Sequence, residues 1–203
     1  MKPKSRMKAC DRRAQIVEVA QRCFAEHGYA NSTTAKIATM AEVSEPMLYR
    51  HFDCKQDLFH EILEKTLREA REHFDEIIPK EANGAEKILC LAEDFPRYAL
   101  QQSGLVRVID CAAVSAEDDR TRGLLRHYYE GYVLTITKLV EEGRADGSIQ
   151  LQVESESLAW TLTMNGIGSC LLRRLKAEFL DSEVFARDTR ELVTRLLGYC
   201  PKS

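Results

Sequence analysis

Thr33-Thr34-Ala35-Lys36-Ile37-Ala38-Thr39-Met40-Ala41-Glu42-Val43-Ser44-Glu45-Pro46-Met47-Leu48-Tyr49-Arg50-His51-Phe52 is the stretch that decides the fold. It reads as two short helices joined by a tight turn. Ile37, Ala38 and Ala41 share one apolar face. Thr33 or Thr34 can cap the first helix through a side-chain oxygen. Ser44 can cap the second, and Pro46 falls in its first turn, where no backbone N–H is missed. Leu48 and Phe52, four apart, bury the second helix, here expected to run about eight residues, a length set by helical spacing. Its other face shows Glu45, Pro46, Met47, Arg50 and His51. A helix so short, with such a face, gains little stability by itself. It suits the major groove of DNA, which at ~12 Å wide admits one helix.

Working outward, the charge is uneven. The 203-residue chain carries a net charge of −3, yet residues 1–60 hold 10 Lys/Arg against 7 Asp/Glu, which leaves 19 against 25 in the remainder. A basic N-terminal part on an acidic body is expected where only one end meets phosphate. A hydrophobic content of 44% with 30% charged residues fits a globular protein with a real core. No apolar run reaches the ~20 residues that span a bilayer, so no membrane partner is expected. The seven cysteines stand at least thirteen residues apart, with no zinc-ligand spacing. They are expected to be reduced cytoplasmic thiols, with Cys23, Cys90, Cys111 and Cys170 as small core residues. Neither a metal nor a cofactor is implied.

Along the chain the pattern is helical throughout. Residues 1–10 form a short basic arm, and residues 11–27 a helix with Gly28 at its end. Lys55 opens a long helix that Pro79 stops near Ile78. It is expected to be the only element joining the N-terminal module to the body. From Ala85 to Ala99 the pattern is helical again, in a helix that Pro96 kinks or splits, and residues 104–113 form a buried helix. A long amphipathic helix over 118–143 ends in the Asp146-Gly147-Ser148 turn. The last two helices, over 156–175 and 182–199, carry more apolar surface than a monomer needs. Gly166-Ile167-Gly168 lacks the third glycine and preceding strand of a dinucleotide site.

The run I-A-x-x-A-x-V-S-x-x-x-L-Y-x-H-F-x-x-K-x-x-L, from Ile37 to Leu58, resembles the helix-turn-helix of TetR-family transcriptional regulators. About fifty residues carry the resemblance. It implies an all-α fold. Residues 1–54 would be a three-helix DNA-binding domain with a basic arm, and residues 55–203 a helical effector-binding and dimerisation domain. The family commonly has glycine in the turn where this chain has Glu42, which costs about 1 kcal/mol if φ is positive there. The resemblance gives Glu45, Pro46 and Met47 to base edges, with Ser44 nearby. It gives Thr33, Thr34, Tyr49, His51 and Lys55 to phosphates; Tyr49 can serve either as a phosphate donor or as a core aromatic, and Arg50 points either to phosphate or to solvent. Lys55 at a helix N-terminus also suits an anion by itself.

The resemblance further implies a homodimer through the last two helices, bound to a palindromic double-stranded operator and usually repressing. A small-molecule effector would sit in the body and release the DNA. Candidate lining residues are Phe95, Tyr98, Val108, Cys111, Tyr128, Tyr132, Trp160 and Met164, each of which can equally be plain core. Aromatics with polar tips suit a mostly apolar ligand held by one or two hydrogen bonds. An all-helical enzyme is the competing class. The five histidines form no H-x-x-x-H pair, and neither a nucleophile elbow nor a phosphate loop is present. A helical scaffold with a vestigial helix-turn-helix is the other.

Overall fold

The computed structural model describes residues 9–115, 117–174 and 183–199. Residues 1–8 of the expected basic arm lie outside them, and its last two residues, Ala9 and Cys10, open the first helix. All regular structure among the described residues is helical: α1 (Ala9–Asn31), α2 (Thr34–Met40), α3 (Glu45–Tyr49), α4 (Lys55–Ile77), α5 (Gly84–Gln101), α6 (Ser103–Val114), α7 (Asp119–Ala145), α8 (Ser155–Arg174) and α9 (Glu183–Leu197). The all-α expectation holds. Gly28 breaks α1 with φ 74°, ψ 169°, and so ends its regular part where the sequence placed it. Pro96 is accommodated inside α5, which it does not split.

Two compact units result. One joins the chain up to Arg68 with Gly104–Leu125; the other joins Glu69–Ser103 with the chain from Arg126 onward. The sequence boundary at residue 54 marks the start of α4, whereas the compact units divide later, inside that helix. Both α4 and α7 contribute residues to each unit, so α4 is not the only connection. The reason is local: the α6–α7 segment packs back on α1 and α4 in the first unit. There the Tyr29 N–H donates to Cys111 Sγ at 3.1 Å, and His60 Nε2 lies 3.1 Å from Asp118 Oδ1. Cys111 is only half-buried, as is Cys90 of the second unit, whose thiol donates to Ile77 O at 3.3 Å; Cys23 and Cys170 are buried as expected.

The core of the first unit follows the helical spacing of its apolar residues. Ile16, Ala20, Cys23 and Phe24 of α1 are buried with Ile37, Ala38 and Ala41 of α2, Leu48 of α3, and Leu58, Ile62 and Leu63 of α4. Burying each large side chain stabilises the fold by roughly 1.5–3 kcal/mol. Phe24, Tyr29 and Phe59 form a ring cluster with centroids 4.9–5.8 Å apart.

The second unit packs Ile88, Leu89, Leu91, Val140, Ile149, Leu158, Val193 and Leu197 around Phe74. Asn83 starts α5 with a capping box closed by Glu86. The Asp146-Gly147-Ser148 turn caps the same helix from outside: Asp146 Oδ2 accepts from Gly84 N at 2.9 Å, and Ser148 Oγ from Ala85 N at 3.1 Å. Here α5 and α7 touch through backbone. A Cβ on Gly84 would lie 2.3 Å from Gly143 N.

Candidate nucleic-acid interface

The turn between α2 and α3 sets the geometry of the site. Val43 N donates to Ala38 O at 3.0 Å, and Glu42 N to Thr39 O at 3.1 Å. These are the two bonds of a Schellman motif, which needs its C′ residue in the left-handed region. Glu42 occupies that position with φ 54°, so the strain that its sequence position raised is present. Ile37, Ala38 and Ala41 face the core, and Gln15 of α1 donates to Ala41 O at 3.3 Å. The pair is thereby fixed on α1.

Each short helix is capped as its sequence requires. Thr33 Oγ1 accepts from Lys36 N at 3.2 Å, and Ser44 Oγ from Met47 N at 3.3 Å. Pro46 sits in the first turn of α3. That helix is five residues long rather than eight. Beyond it the His51 N–H returns to Leu48 O, three residues back, a tighter turn that tucks Phe52 into the core. Arg13 seats its guanidinium 4.5 Å from the centre of the Phe52 ring and also pairs with Glu61.

Thr34 has a different part from its neighbour Thr33. Its hydroxyl lies 2.5 Å from Glu45 Oε1 and 3.2 Å from Tyr49 Oη. The start of α2 is thus tied to both ends of α3. Ser44, Pro46, Tyr49 and Arg50 are exposed; Glu45, Met47 and His51 are half-buried. Tyr49 keeps 47% of its surface free, so it is no core aromatic. Lys55 is turned inward: Nζ donates to Tyr29 O at 2.9 Å and lies 4.1 Å from the centre of that ring. Its ammonium closes the end of α1.

The eight residues named for an effector fall into three places. Phe95, Tyr98 and Tyr132 gather around Phe74, with centroids 6.0, 5.8 and 5.0 Å from its ring, and Tyr128 is close enough for its phenol to feel Tyr132 and Tyr98. Burial raises the phenol pKa of Tyr128 and Tyr132, and pushes Tyr98 up to about 12. Val108 and Cys111 belong to the first unit. Trp160 and Met164 lie on an exposed stripe of α8. Sequence reasoning did not single out His73 and Asp94. They pair at 2.7 Å beside this cluster, and His73 stacks on Tyr98 at 4.2 Å. Periodicity marks such residues only as helical surface; the pairing across α4 and α5 is long-range.

A stripe of apolar residues is left uncovered on the last two helices. On α8, Trp160, Met164, Ile167 and Leu171 recur at four, three and four residues, and Met164 is 59% exposed. On α9, Val184, Leu192 and Leu196 share a face, with Leu192 at 67%. Among the described residues no group of His, Cys, Asp or Glu could hold a metal ion, and no helix is long and apolar enough to cross a membrane.

The family described as bacterial regulatory proteins, tetR family, matches residues 16–62, from within α1 to the first turns of α4, a span that holds α2, the turn and α3. Over those residues the chain carries the helix-turn-helix domain of the TetR family. The nucleoid occlusion factor SlmA of Vibrio vulnificus (strain YJ016) is 27% identical over 173 residues, covering 85% of this chain and 88% of its own. Two solved structures share the fold at a TM-score of 0.78. One is a bacterial regulatory protein in the tetR family from Rhodococcus RHA1, 18% identical and covering 94% of this chain and 98% of its own. The other is a transcriptional regulator from Saccharomonospora viridis in complex with choline, 21% identical and covering 93% and 96%.

Proposed function

We propose that this protein binds a palindromic operator as a homodimer, represses transcription there, and is released by a small, mostly apolar effector. The observation that carries the reading is the pairing of a capped, outward-facing α3 with an uncovered apolar stripe on α8 and α9. Burying that stripe against its copy gives a two-fold dimer. Two recognition helices then meet half-sites about one helical turn (~34 Å) or more apart. The regulator acts in the cytoplasm, where the DNA is.

Within each half-site, Glu45, Pro46 and Met47 read base edges, with Ser44 beside them. Phosphates are met by Thr33, Thr34, Tyr49, Arg50 and His51, and by Lys55 once its bond to Tyr29 O is shared or exchanged. Phosphate contacts position the protein and base contacts specify the sequence. Residues 1–54 carry this work, and residues 55–203 hold the effector and the dimer face. The aromatic cluster of Phe95, Tyr98, Tyr128 and Tyr132, of which Tyr98 is buried and the others half-buried, supports an effector site in the body; Trp160 and Met164 serve the dimer face instead. Effector binding shifts the dimer toward a state whose half-site spacing no longer matches, and ~1–3 kcal/mol of coupling suffices.

The test is selection from random DNA followed by binding of variants. A palindrome should emerge. Met47→Ala should change base preference, while Tyr49→Ala weakens all sequences alike. Equal losses on selected and scrambled DNA for both variants contradict that division of labour. The near-full-length likeness to a nucleoid occlusion factor favours a second reading, a DNA-bound factor acting on the nucleoid. Chromatin immunoprecipitation separates the two: occupancy at one or a few promoters supports the regulator, and sites spread over the chromosome support the other.

A further inference from the structure

The first unit contains a half-open cavity of about 170 Å³ that belongs neither to the helix-turn-helix surface nor to the aromatic cluster of the second unit. It is well below the ~300 Å³ of the smallest drug-sized pockets, so it suits a ligand of few heavy atoms. Its walls have two chemistries. The rings of Tyr29 and Phe59, 4.9 Å apart, form an apolar side. Opposite in character are the carboxylates of Glu117 and Asp118, with the polar side chains of Gln56 and Thr121.

Asp118 is held as an anion. Burial opposes its charge, but Thr121 N at 2.8 Å, Thr121 Oγ1 at 2.7 Å, Gln56 and His60 outweigh that and hold the carboxyl well below the usual range. The field of both acids reaches the aromatic side: after burial and Cys54, it is Asp118 and then, beyond Cys111, Glu117 that raise the Tyr29 phenol. The Tyr29 ring already accepts a cation, since Lys55 Nζ lies 4.1 Å from its centre. Arg120 feels the charge of Asp118 and Arg122 donates to Glu117 O at 2.9 Å, so a ligand cation shares these acids with the protein's own.

We propose that this cavity binds a small organic ammonium ion, its charge toward Glu117 and Asp118 and its alkyl groups against Tyr29 and Phe59. Aromatic faces beside an anion select an alkylated ammonium over a hydrated metal ion or a neutral molecule of the same shape. Gln56 and Phe59 sit in the first two turns of α4, which follows the helix-turn-helix directly. A ligand here therefore acts within the DNA-binding unit, independently of any effector in the body. This inference stands whether or not the body holds an effector site.

The test is calorimetric titration of the full-length protein with tetramethylammonium chloride, beside sodium chloride and two neutral alcohols of similar shape, tert-butanol and neopentyl alcohol. Saturable binding of tetramethylammonium alone is expected. Glu117→Gln, an exposed substitution that leaves the fold intact by circular dichroism, should weaken it roughly tenfold, about 1.4 kcal/mol. Tyr132→Phe, in the second unit, should leave it unchanged. Binding no stronger than that of sodium, equal binding of the neutral alcohols, or binding lost in Tyr132→Phe and kept in Glu117→Gln would each overturn the proposal.

Discussion

Replacing Glu42 by glycine should stabilise the protein. The residue sits at the C′ position of the α2 Schellman motif with φ 54°, and its side chain is exposed. A residue with a Cβ in that region is strained by about 1–2 kcal/mol. Glycine removes the strain and keeps both backbone bonds of the turn. It also gives the unfolded chain more freedom, which costs about 0.5–1 kcal/mol. The net gain is about 0.5–1 kcal/mol. For a chain of this size that raises the melting temperature by roughly 1–4 °C. Glu42→Ala is the control, because it removes the same charge and keeps the Cβ. Urea unfolding followed by circular dichroism should place Glu42→Gly above Glu42→Ala, with unchanged slope. Glycine equal to alanine, or below it, would refute the assignment of strain to this backbone.

Other consequences are equally open to measurement. Gly84→Ala puts a Cβ 2.3 Å from Gly143 N and 2.5 Å from Leu139 O, backbone atoms that no rotamer change can move; a loss of about 1–3 kcal/mol or more is expected in the urea midpoint. Gly123→Ala meets nothing within 4 Å inside α7, so it should be neutral or gain up to ~1 kcal/mol in the same assay. Because the Asp118 carboxyl is held below its usual range, the unfolded chain binds more protons there than the native one. Stability from this group is complete above the ordinary carboxylate range and declines as pH falls through and below it, and Asp118→Asn should flatten that part of the pH profile of the urea midpoint. Leu192→Asp, on a residue 67% exposed in the single chain, should leave the monomer folded yet shift sedimentation from dimer to monomer.

Local signals made the helix-turn-helix legible. The apolar face of Ile37, Ala38 and Ala41, the caps at Thr33 and Ser44, and Pro46 in a first turn all act over four residues or fewer, the range in which sequence spacing and structure coincide. The strain at Glu42 was readable from the resemblance, because the family that the chain resembles commonly has glycine in that turn. What sequence spacing did not provide was long-range partnership. Thr34 looked like a second cap, but its hydroxyl reaches eleven and fifteen residues ahead to Glu45 and Tyr49. Lys55 looked like a free cation at a helix N-terminus, but it is bonded to Tyr29 O, twenty-six residues back. The effector candidates shared a chemistry, aromatic with polar tips, and not a location. Apolar periodicity marks a buried face without saying which face it meets, so Val108 and Cys111 were grouped with residues of another unit, and Trp160 and Met164 with a core that they do not enter.

The most direct measurement is fluorescence anisotropy of the purified protein on DNA from upstream of its own gene, or on a selected palindrome, titrated at several salt concentrations beside a scrambled duplex. Tight, selective binding with two chains per site is predicted. Affinity should fall with salt at a slope of about −0.9 for each phosphate neutralised. Weak binding that is equal on both duplexes and indifferent to salt would contradict a DNA-binding regulator.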